Sequence, residues 1–233
     1  MNPLVILPTY NEIENLPHFI PQVLSALKTH ILIIDDRSPD GTGELADRLA
    51  KEHSAIQALH RPKKLGLGSA YIAGFKWALE RNYDVIVQMD SDFSHSPEDI
   101  PKLVDALSGA DIAIGSRYAP GGSIQNWPRW RLLVSELGNV YARSVLKLAV
   151  SDVTGGFKAW KRKVLESIDL KNIISDGYAF QVETTFRAVR KGFKVAEVPI
   201  HFKDRTRGRS KISRRILFEA MWIVWKLRLS ARS

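Results

Sequence analysis

The chain has 233 residues, 45% hydrophobic and 25% charged, so it can bury a sizeable core and has the composition of an ordinary globular protein. It contains no cysteine, which excludes a disulfide framework, a thiol nucleophile and a thiolate metal site. The formal net charge of +9 is concentrated after residue 203, where nine basic residues accompany two acidic ones, a balance compatible with nucleic acid, an anionic membrane surface or a phosphorylated ligand.

Short apolar runs alternate with helical patterns through the first half of the chain. The runs occupy residues 4–7, 31–34, 55–60, 84–89 and 111–115. The helical patterns extend from the first run to about residue 28, then over 40–53 and 67–81, and Pro97 begins another. This alternation predicts an α/β fold with a mostly parallel sheet and helices on both faces, since continuously apolar strands are buried on both sides.

The second half has longer helical patterns and fewer strands. We expect helices over 129–150 and 178–191, a glycine-containing turn over 152–160, an extended segment over 193–202, and a final helix over 212–229 after a polar loop at 204–211. No internal repeat or low-complexity linker interrupts the sequence. We therefore predict one domain over residues 1–211 and a C-terminal amphipathic helix over 212–233.

Polar residues follow each apolar run of the first half. In order along the chain they are Pro8, Tyr10, Asn11 and Glu12; Asp35 and Asp36; Arg61, Lys63 and Lys64; Asp90 and Asp92; and Arg117. Ligands of open α/β sheets bind beyond the carboxyl ends of the strands. One loop aspartate is most often a helix cap, but five polar strand ends along one edge predict a binding crevice.

Asp90 and Asp92 end the fourth apolar run and are separated by one residue. In an extended backbone, residues i and i+2 point to the same side, so the two carboxylates can serve one ligand. Carboxylates are hard ligands for Mg²⁺ or Mn²⁺, and such ions keep open positions for substrate phosphates. The alternative is a solvated turn with Asp as a cap; the position at a strand end favours a metal site.

Six motifs run in order along nearly the whole chain: PTYNE (8–12), DDRSPDGT (35–42), GLGSA (66–70), MDSDFSH (89–95), GSRY (115–118) and RTRGRSK (205–211). Together they resemble glycosyltransferase family 2, and within it the polyprenyl-phosphate, or dolichol-phosphate, mannose synthases. The resemblance implies a GT-A-like, Rossmann-type catalytic domain. It also implies a metal-dependent inverting enzyme that moves mannose from GDP-mannose to a polyprenyl monophosphate, giving a β-linked product.

The resemblance implies roles for individual residues on the donor side. Pro8, Tyr10, Asn11 and Glu12 would line the nucleotide pocket, with Asp36 near the base and ribose. Asp90 and Asp92 would hold Mg²⁺ or Mn²⁺ on the diphosphate, and Ser91 would add a backbone contact. Arg205 and Lys211 would close over the phosphates.

On the acceptor side, the resemblance implies that Arg117, Arg131 and Ser135 meet the lipid phosphate. The sequence departs from some relatives two residues after the aspartate pair, where they carry a glutamine as a third metal ligand. Here that residue is Ser94, followed by His95. The third ligand therefore stays open, with water as a substitute.

The residues suit this chemistry without the resemblance. A phosphate monoester has its second pKa at about 6, so a lipid phosphate is largely ionised at neutral pH and needs no dedicated general base. The leaving diphosphate needs its developing charge neutralised, which a cation on Asp90 and Asp92 with Arg205 and Lys211 would provide. Catalysis would then depend mainly on positioning and electrostatics.

The last helix carries Trp222 and Trp225 followed by Lys226 and Arg228, a pattern typical of a helix in a membrane interface. No apolar stretch approaches the roughly 20 residues needed to span a bilayer, and the N-terminus lacks signal-peptide features. We expect a peripheral protein on the cytoplasmic face of a membrane, with a possible membrane-anchoring partner protein. Solvated charges on a packed helix are the alternative.

Two other functions account for part of the sequence. A UDP-glucose-dependent polyprenyl-phosphate glucosyltransferase is poorly separated from the mannose enzyme by the residues. A nucleic-acid-binding protein would explain the basic tail but not the acidic strand ends, since carboxylates repel phosphate without a metal. We therefore expect no nucleic-acid partner. In DVTGGF (152–157), Asp152 is either catalytic or part of a turn.

Overall fold

The computed structural model describes residues 1–173, 175–204 and 214–230. The strands are β1 (Pro3–Thr9), β2 (His30–Asp35), β3 (Ile56–His60), β4 (Val85–Gln88), β5 (Ile112–Ser116), β6 (Ser123–Gln125), β7 (Lys158–Lys161), β8 (Val195–Pro199) and β9 (His201–Lys203). The helices are α1 (Leu16–Ala26), α2 (Thr42–Glu52), α3 (Leu67–Leu79), α4 (Ile100–Ala106), α5 (Arg129–Leu146), α6 (Arg162–Ser167), α7 (Gly177–Arg190) and α8 (Arg214–Ser230).

The main sheet has the strand order β3-β2-β1-β4-β7-β5-β8. All of its neighbouring pairs are parallel except the two made by β7, which runs antiparallel to both β4 and β5. Alternate residues of β1 enter two cores, with Leu4 and Ile6 on the face of α3 and α7 and Val5 and Leu7 on the face of α1 and α4. The predicted α/β fold with helices on both faces is confirmed.

The strand β7 corrects the predicted turn over 152–160. Its residues Ala159 and Trp160 are fully buried, and so is Lys158. A four-residue strand that begins with lysine lacks the apolar run by which the other strands were recognised. The chain therefore places a short polar-headed strand at the centre of the sheet, where neighbouring strands satisfy its backbone.

The helix predicted over 129–150 ends earlier, at Leu146. Lys147 adopts a left-handed conformation, with φ of 56°, and its N–H caps the helix by donating to the carbonyl of Arg143. Leu148 and Val150 continue the apolar pattern because they are buried in the core beyond the helix. The other predicted helices and strands match within a few residues, and residues 212 and 213 of the predicted final helix lie outside the described residues.

The helices α5, α7 and α8 pack together on one side of the sheet. Tyr141 on α5 donates its hydroxyl hydrogen to the carbonyl of Met221 on α8. Within residues 1–173, 175–204 and 214–230, we find no helix with the length and apolar character that crossing a bilayer requires. Strands β6 and β9 form a separate parallel pair beside the main sheet.

Candidate active site

The loops after β1 and β2 are hydrogen-bonded to each other at the edge of the sheet. Asn11, in a left-handed conformation with φ of 63°, donates its backbone N–H to Ser38 Oγ over 3.0 Å. Ser38 Oγ donates in turn to Asp35 Oδ1. Glu12 donates its N–H to Thr42 Oγ1 over 2.9 Å. Side chains of the second loop thereby hold the backbone of the first, which gives the predicted nucleotide pocket a fixed floor.

Asp36 lies beside that floor and is buried with a cationic partner. Arg61 Nε is 2.7 Å from Asp36 Oδ1, and the backbone N–H of Leu65 donates to Oδ2 over 3.2 Å. Burial raises the pKa of Asp36, and the Leu65 hydrogen bond and the Arg61 charge oppose that rise. The polar residues that were predicted to follow β2 and β3 are therefore joined by the ion pair between Asp36 and Arg61.

Pro8 lies within strand β1, whereas Tyr10 lies in the loop that follows it. Pro8 is still part of β1 and pairs in register with Ile34 of β2. Tyr10 lies beyond the strand, with Lys64 Nζ 3.6 Å from the centre of its ring. An ammonium over an aromatic face is an attractive contact, so the loop after β3 is held against the loop after β1.

The aspartate pair lies directly after β4, where Asp92 is buried and Asp90 is partly buried. Tyr71 of α3 donates its hydroxyl hydrogen to Asp90 Oδ1 over 3.0 Å. Ser94 donates both its N–H and its hydroxyl to Asp92 Oδ1, over 3.1 and 2.5 Å. Burial, and then the charge of Asp90, raise the pKa of Tyr71, so the phenol stays a hydrogen-bond donor. Each carboxylate is thus oriented through its Oδ1 atom.

The donor set fits a divalent cation that shares its coordination with a phosphate-bearing ligand. Within the described part of the chain, no three His, Asp or Glu side chains cluster as an all-protein metal cage. Mg²⁺ and Mn²⁺ accept sites made of one or two carboxylates completed by substrate oxygens and water. The hydroxyl of Ser94 donates to Asp92, so Ser94 contacts a predicted metal ligand. The third ligand remains open.

Two buried polar side chains next to the aspartates lack a hydrogen-bond partner among the residues that the structure describes. They are Ser91 at its Oγ and His95 at its Nδ1. The imidazole of His95 lies between the rings of Phe157 and Phe202, with centroids 5.2 and 5.4 Å away. Burial lowers the pKa of His95 to about 4, so the ring is neutral at physiological pH.

Arg117 is held by an ion pair that the sequence interpretation missed. Its Nε and Nη2 each lie 2.7 Å from an oxygen of Asp152, and Nη2 also donates to Thr154 Oγ1 over 2.8 Å. Asp152 is fully buried. Burial favours neutral forms, but the two opposite charges prevail: the pKa of Arg117 is raised and that of Asp152 is lowered. Asp152 therefore fixes the position of the Arg117 side chain. The interpretation of DVTGGF as a turn gave no indication of this ion pair.

Arg131 and Ser135 lie on the first turns of α5. Arg131 Nη1 is 3.0 Å from both carboxylate oxygens of Asp204, and its guanidinium lies 4.0 Å from the ring centre of Trp127. Ser135 Oγ accepts a hydrogen bond from Tyr118, the residue after Arg117. Arg117 and Ser135 are thus linked through neighbouring residues, and Arg131 contacts Asp204. Arg205 and Lys211 lie outside the described residues.

An apolar cavity of about 400 Å³ lies between α5, α7 and α8. Its lining includes Trp127, Leu137, Tyr141, Val182 and Ile223. Thr154, which accepts a hydrogen bond from Arg117, and Ser135, the partner of Tyr118, also belong to the lining. The apolar cavity therefore borders the hydrogen-bonded cluster that Arg117 forms with Asp152 and Thr154.

Comparison with known proteins shows which sequences this chain is similar to. Residues 4–169 match the model of the Glycosyl transferase family 2. The chain is 51% identical to the polyprenol monophosphomannose synthase of Mycolicibacterium smegmatis over 230 residues, which cover 97% of this chain and 87% of the relative. It is 48% identical to the undecaprenyl-phosphate mannosyltransferase of Micrococcus luteus, over all of this chain and 96% of that protein.

Among solved structures, the chain resembles the glucosyl-3-phosphoglycerate synthase of Mycobacterium tuberculosis, solved in complex with Mn²⁺, UDP and glucosyl-3-phosphoglycerate. The TM-score is 0.63, with 19% sequence identity over 99% of this chain and 79% of that one. At that identity the likeness concerns the fold alone, and it agrees with the GT-A-like sheet predicted from the motifs.

Proposed function

The chain belongs to glycosyl transferase family 2 and is a glycosyltransferase, and from that premise we propose that it moves mannose from GDP-mannose to a polyprenyl monophosphate at a membrane surface. Two relatives about half identical to it over nearly their whole lengths are named for mannosyl transfer to a polyprenol phosphate. The other observations that support the proposal come from the site itself.

The observation that carries the proposal is the apolar cavity that adjoins Arg117. A polyprenyl phosphate is a long hydrocarbon ending in a dianion, so its site must combine an apolar wall with a fixed cation. The cavity supplies the wall, and the Arg117 guanidinium shares Thr154 with its lining. A soluble acceptor would leave the apolar lining unexplained, because a large apolar surface open to solvent usually marks a binding site for an apolar ligand.

On the donor side, Asp90 and Asp92 would hold Mg²⁺ or Mn²⁺, with Tyr71 and Ser94 keeping the two carboxylates in place. When bound, the cation neutralises negative charge on the diphosphate leaving group. We assign the nucleotide to the floor made by Tyr10, Asn11 and Glu12 and by Asp36 with its partner Arg61. Arg205 and Lys211 keep their predicted role of closing over the phosphates.

The reaction exchanges one bond at the anomeric carbon. An oxygen of the lipid phosphate donates an electron pair to C1 of mannose, and the bond between C1 and the diphosphate oxygen breaks with its pair leaving on GDP. The attack proceeds in line and inverts C1, so an α-linked donor gives a β-linked product. Arg117 orients the attacking phosphate, and the phosphate needs no base because it is already ionised at neutral pH.

Transfer of radiolabelled mannose from GDP-mannose to a short polyprenyl phosphate tests the proposal. We expect activity with Mg²⁺ or Mn²⁺ and its loss in EDTA, and UDP-glucose should not compete. Asp92→Asn should lower transfer about 100-fold or more, whereas Asp105→Asn, at an exposed position of α4, should not. Undiminished transfer in EDTA would remove the metal from the proposal, and preferential use of UDP-glucose would replace the donor.

We also assign the protein to the cytoplasmic face of a membrane as a peripheral enzyme, with a membrane-anchoring protein as a possible partner. The large exposed apolar side chains on α5 and α8 support this assignment. On α5 they are Trp130, Leu133, Leu137 and Val140, and on α8 they are Met221, Trp222, Trp225 and Leu229. Aromatic and aliphatic side chains on a basic protein suit an anionic lipid surface.

A further inference from the structure

A chain of buried amides runs from the centre of the sheet to the edge of the aspartate pair. Trp160 on β7 donates its indole N–H to Gln88 Oε1 over 3.0 Å. Gln88 Nε2 donates to Gln181 Oε1 over 2.8 Å and to the carbonyl of Gly156 over 2.9 Å. Gln88 is fully buried and Gln181 is 2% exposed. None of these contacts is used in the proposed reaction.

The indole fixes which group donates and which accepts in each of these hydrogen bonds. An indole nitrogen can only donate, so it must face the carbonyl oxygen of Gln88. That choice makes Gln88 the donor to Gln181, and Gln181 must then turn its own oxygen toward Gln88. The free end of Gln181 is consequently its amide nitrogen, which has no hydrogen-bond partner in the described part of the molecule. A buried donor without a partner is costly, so it indicates a ligand that accepts from it.

The Gln181 amide lies beside the space over the Cα of Gly156, here called the hollow, which has room for a methyl-sized group. A Cβ atom built on Gly156 would lie 3.6 Å from Gln181 Nε2, 3.8 Å from Asp90 Oδ2 and 3.8 Å from His95 Cε1. The absence of a side chain at Gly156 therefore leaves room between an amide donor, a carboxylate and an imidazole. His95 Nδ1 is likewise buried and without a partner among the described residues.

We propose that Gln181 is a sugar-binding residue, whose amide N–H donates to a hydroxyl oxygen of the transferred hexose that enters the hollow above Gly156. This inference rests on the proposed function, because it takes the donor to be a nucleotide sugar held at Asp90. A hydroxyl both donates and accepts, so one sugar hydroxyl can donate to Asp90 and accept from Gln181. An ionised phosphate oxygen fits this pair less well, since it can accept from Gln181 but has no hydrogen to donate to the Asp90 carboxylate. Gln88 and Trp160 are positioning residues that present the donor end of Gln181.

Paired binding measurements separate the sugar from the nucleotide. The Kd values of GDP, GDP-mannose, UDP and UDP-glucose are measured by calorimetry with Mg²⁺ on the full chain. Gly156→Ala fills the hollow, and its Cβ would make only ordinary van der Waals contacts. Gln181→Met keeps the length of the side chain and removes the donor. The matched control is Gly109→Ala, whose Cβ would meet no atom within 4 Å.

For the nucleotide pair that the wild type binds, we expect both variants to weaken the nucleotide sugar about tenfold and to leave the free nucleotide within twofold. The control should change neither. Equal weakening of nucleotide and nucleotide sugar, no weakening in either variant, or a wild type that binds none of the four compounds would overturn the inference. A Gly156→Ala protein that fails to fold would overturn it too, because the hollow would then not have the described room.

The same measurements separate this inference from the donor assignment. A wild type that binds UDP and UDP-glucose but not GDP-mannose contradicts the proposed mannose donor. The sugar contact of Gln181 is then judged on the uridine pair by the same tenfold criterion.

Discussion

Arg117 and Asp152 form a buried ion pair in which each charge offsets the free-energy cost of burying the other. The guanidinium reaches both carboxylate oxygens, and the backbone N–H of Arg117 donates to the same carboxylate over 3.0 Å. A charge without a partner at a fully buried position costs several kcal/mol, and a well-bonded pair avoids that cost. The pair therefore keeps Arg117 in one orientation beside the apolar cavity.

Arg117→Ala should lower the free energy of unfolding by about 3–5 kcal/mol, because it leaves the carboxylate of Asp152 buried without the guanidinium that balances its charge. Chemical denaturation measures this loss. The double variant Arg117→Ala/Asp152→Ala should recover part of the stability, since it removes the stranded carboxylate as well. Equal stability of Arg117→Ala and the wild type would mean that the pair is solvated in solution. Loss of acceptor use in Arg117→Ala is interpretable only beside this measurement.

Individual site residues divide into those that local sequence reveals and those that only the fold reveals. Asp90 and Asp92 stand out because they interrupt an apolar run at a strand end. The Arg117 partner Asp152 and the sugar-facing Gln181 give no such signal. Asp152 lies 35 residues from Arg117 in a segment that also has the composition of a turn, and Gln181 reads as one polar residue of a helix. Pairings across distant elements depend on sheet order, which the residues do not encode locally.

At the scale of elements, the strand β7 is unusual because a lysine lies at its start inside the sheet. Lys158 Nζ donates to the carbonyl of Gln181 and to Thr185 Oγ1, over 2.8 and 2.9 Å. Burial lowers the pKa of Lys158 to about 7, and the charge of Asp152 opposes this shift only in part. The lysine thus ties β7 to α7, and it does so with a group that is charged only below neutral pH.

The stability of the protein should depend on pH through Lys158. The unfolded lysine has a pKa of about 10.4, so between pH 7 and 10 the unfolded chain binds the extra proton. The contribution of this residue to the free energy of unfolding therefore rises by about 1.4 kcal/mol per pH unit in that window and is constant below pH 7. Lys158→Met lacks this rise.

Denaturant unfolding of both proteins at several pH values checks the prediction. The free energy of unfolding of the wild type should increase relative to that of Lys158→Met as the pH rises from about 7.5 to 9.5. Lys161→Met, on the same strand but with a side chain that is 35% exposed, is the control and should keep a constant difference from the wild type. A constant difference for Lys158→Met as well would mean that its ammonium is hydrated.

The remaining elements show which patterns predict structure reliably. Apolar runs at β1, β2, β4 and β5 were recognisable because each strand is buried on both faces. The strand β7 was not, since it enters the sheet antiparallel after a glycine-containing loop and carries one lysine at each end. The early end of α5 was hidden for a different reason: Leu148 and Val150 stay in the core after the helix ends. Burial therefore extends an apolar pattern beyond the helix that it resembles.

Considered as a whole, the molecule has a basic charge and exposed apolar side chains on two neighbouring helices. The side chains of Leu137 on α5 and Met221 on α8 are exposed and also line the apolar cavity. The cavity therefore reaches the surface between those helices. A lipid phosphate entering from a membrane would meet the apolar opening before it meets Arg117.

Removing the tryptophans of α8 should weaken binding to membranes. Trp222 and Trp225 are 72% and 50% exposed, although tryptophan is normally well buried. Burial of about 100 Å² of apolar surface contributes about 2.5 kcal/mol, so Trp222→Ser/Trp225→Ser should reduce the vesicle partition coefficient at least tenfold. Sedimentation with vesicles that contain anionic lipid measures this coefficient.

The matched control is Lys51→Ser/Glu52→Ser, which alters two exposed residues of α2 and should leave the partition coefficient unchanged. Both double variants should keep the nucleotide affinity of the wild type, because neither pair lies in the loops after β1, β2 or β4. High salt should weaken the binding of the wild type and of the tryptophan variant by a similar factor, since the basic residues are retained in both. Undiminished vesicle binding by the tryptophan variant would place the membrane contact elsewhere and would leave the opening of the cavity facing water.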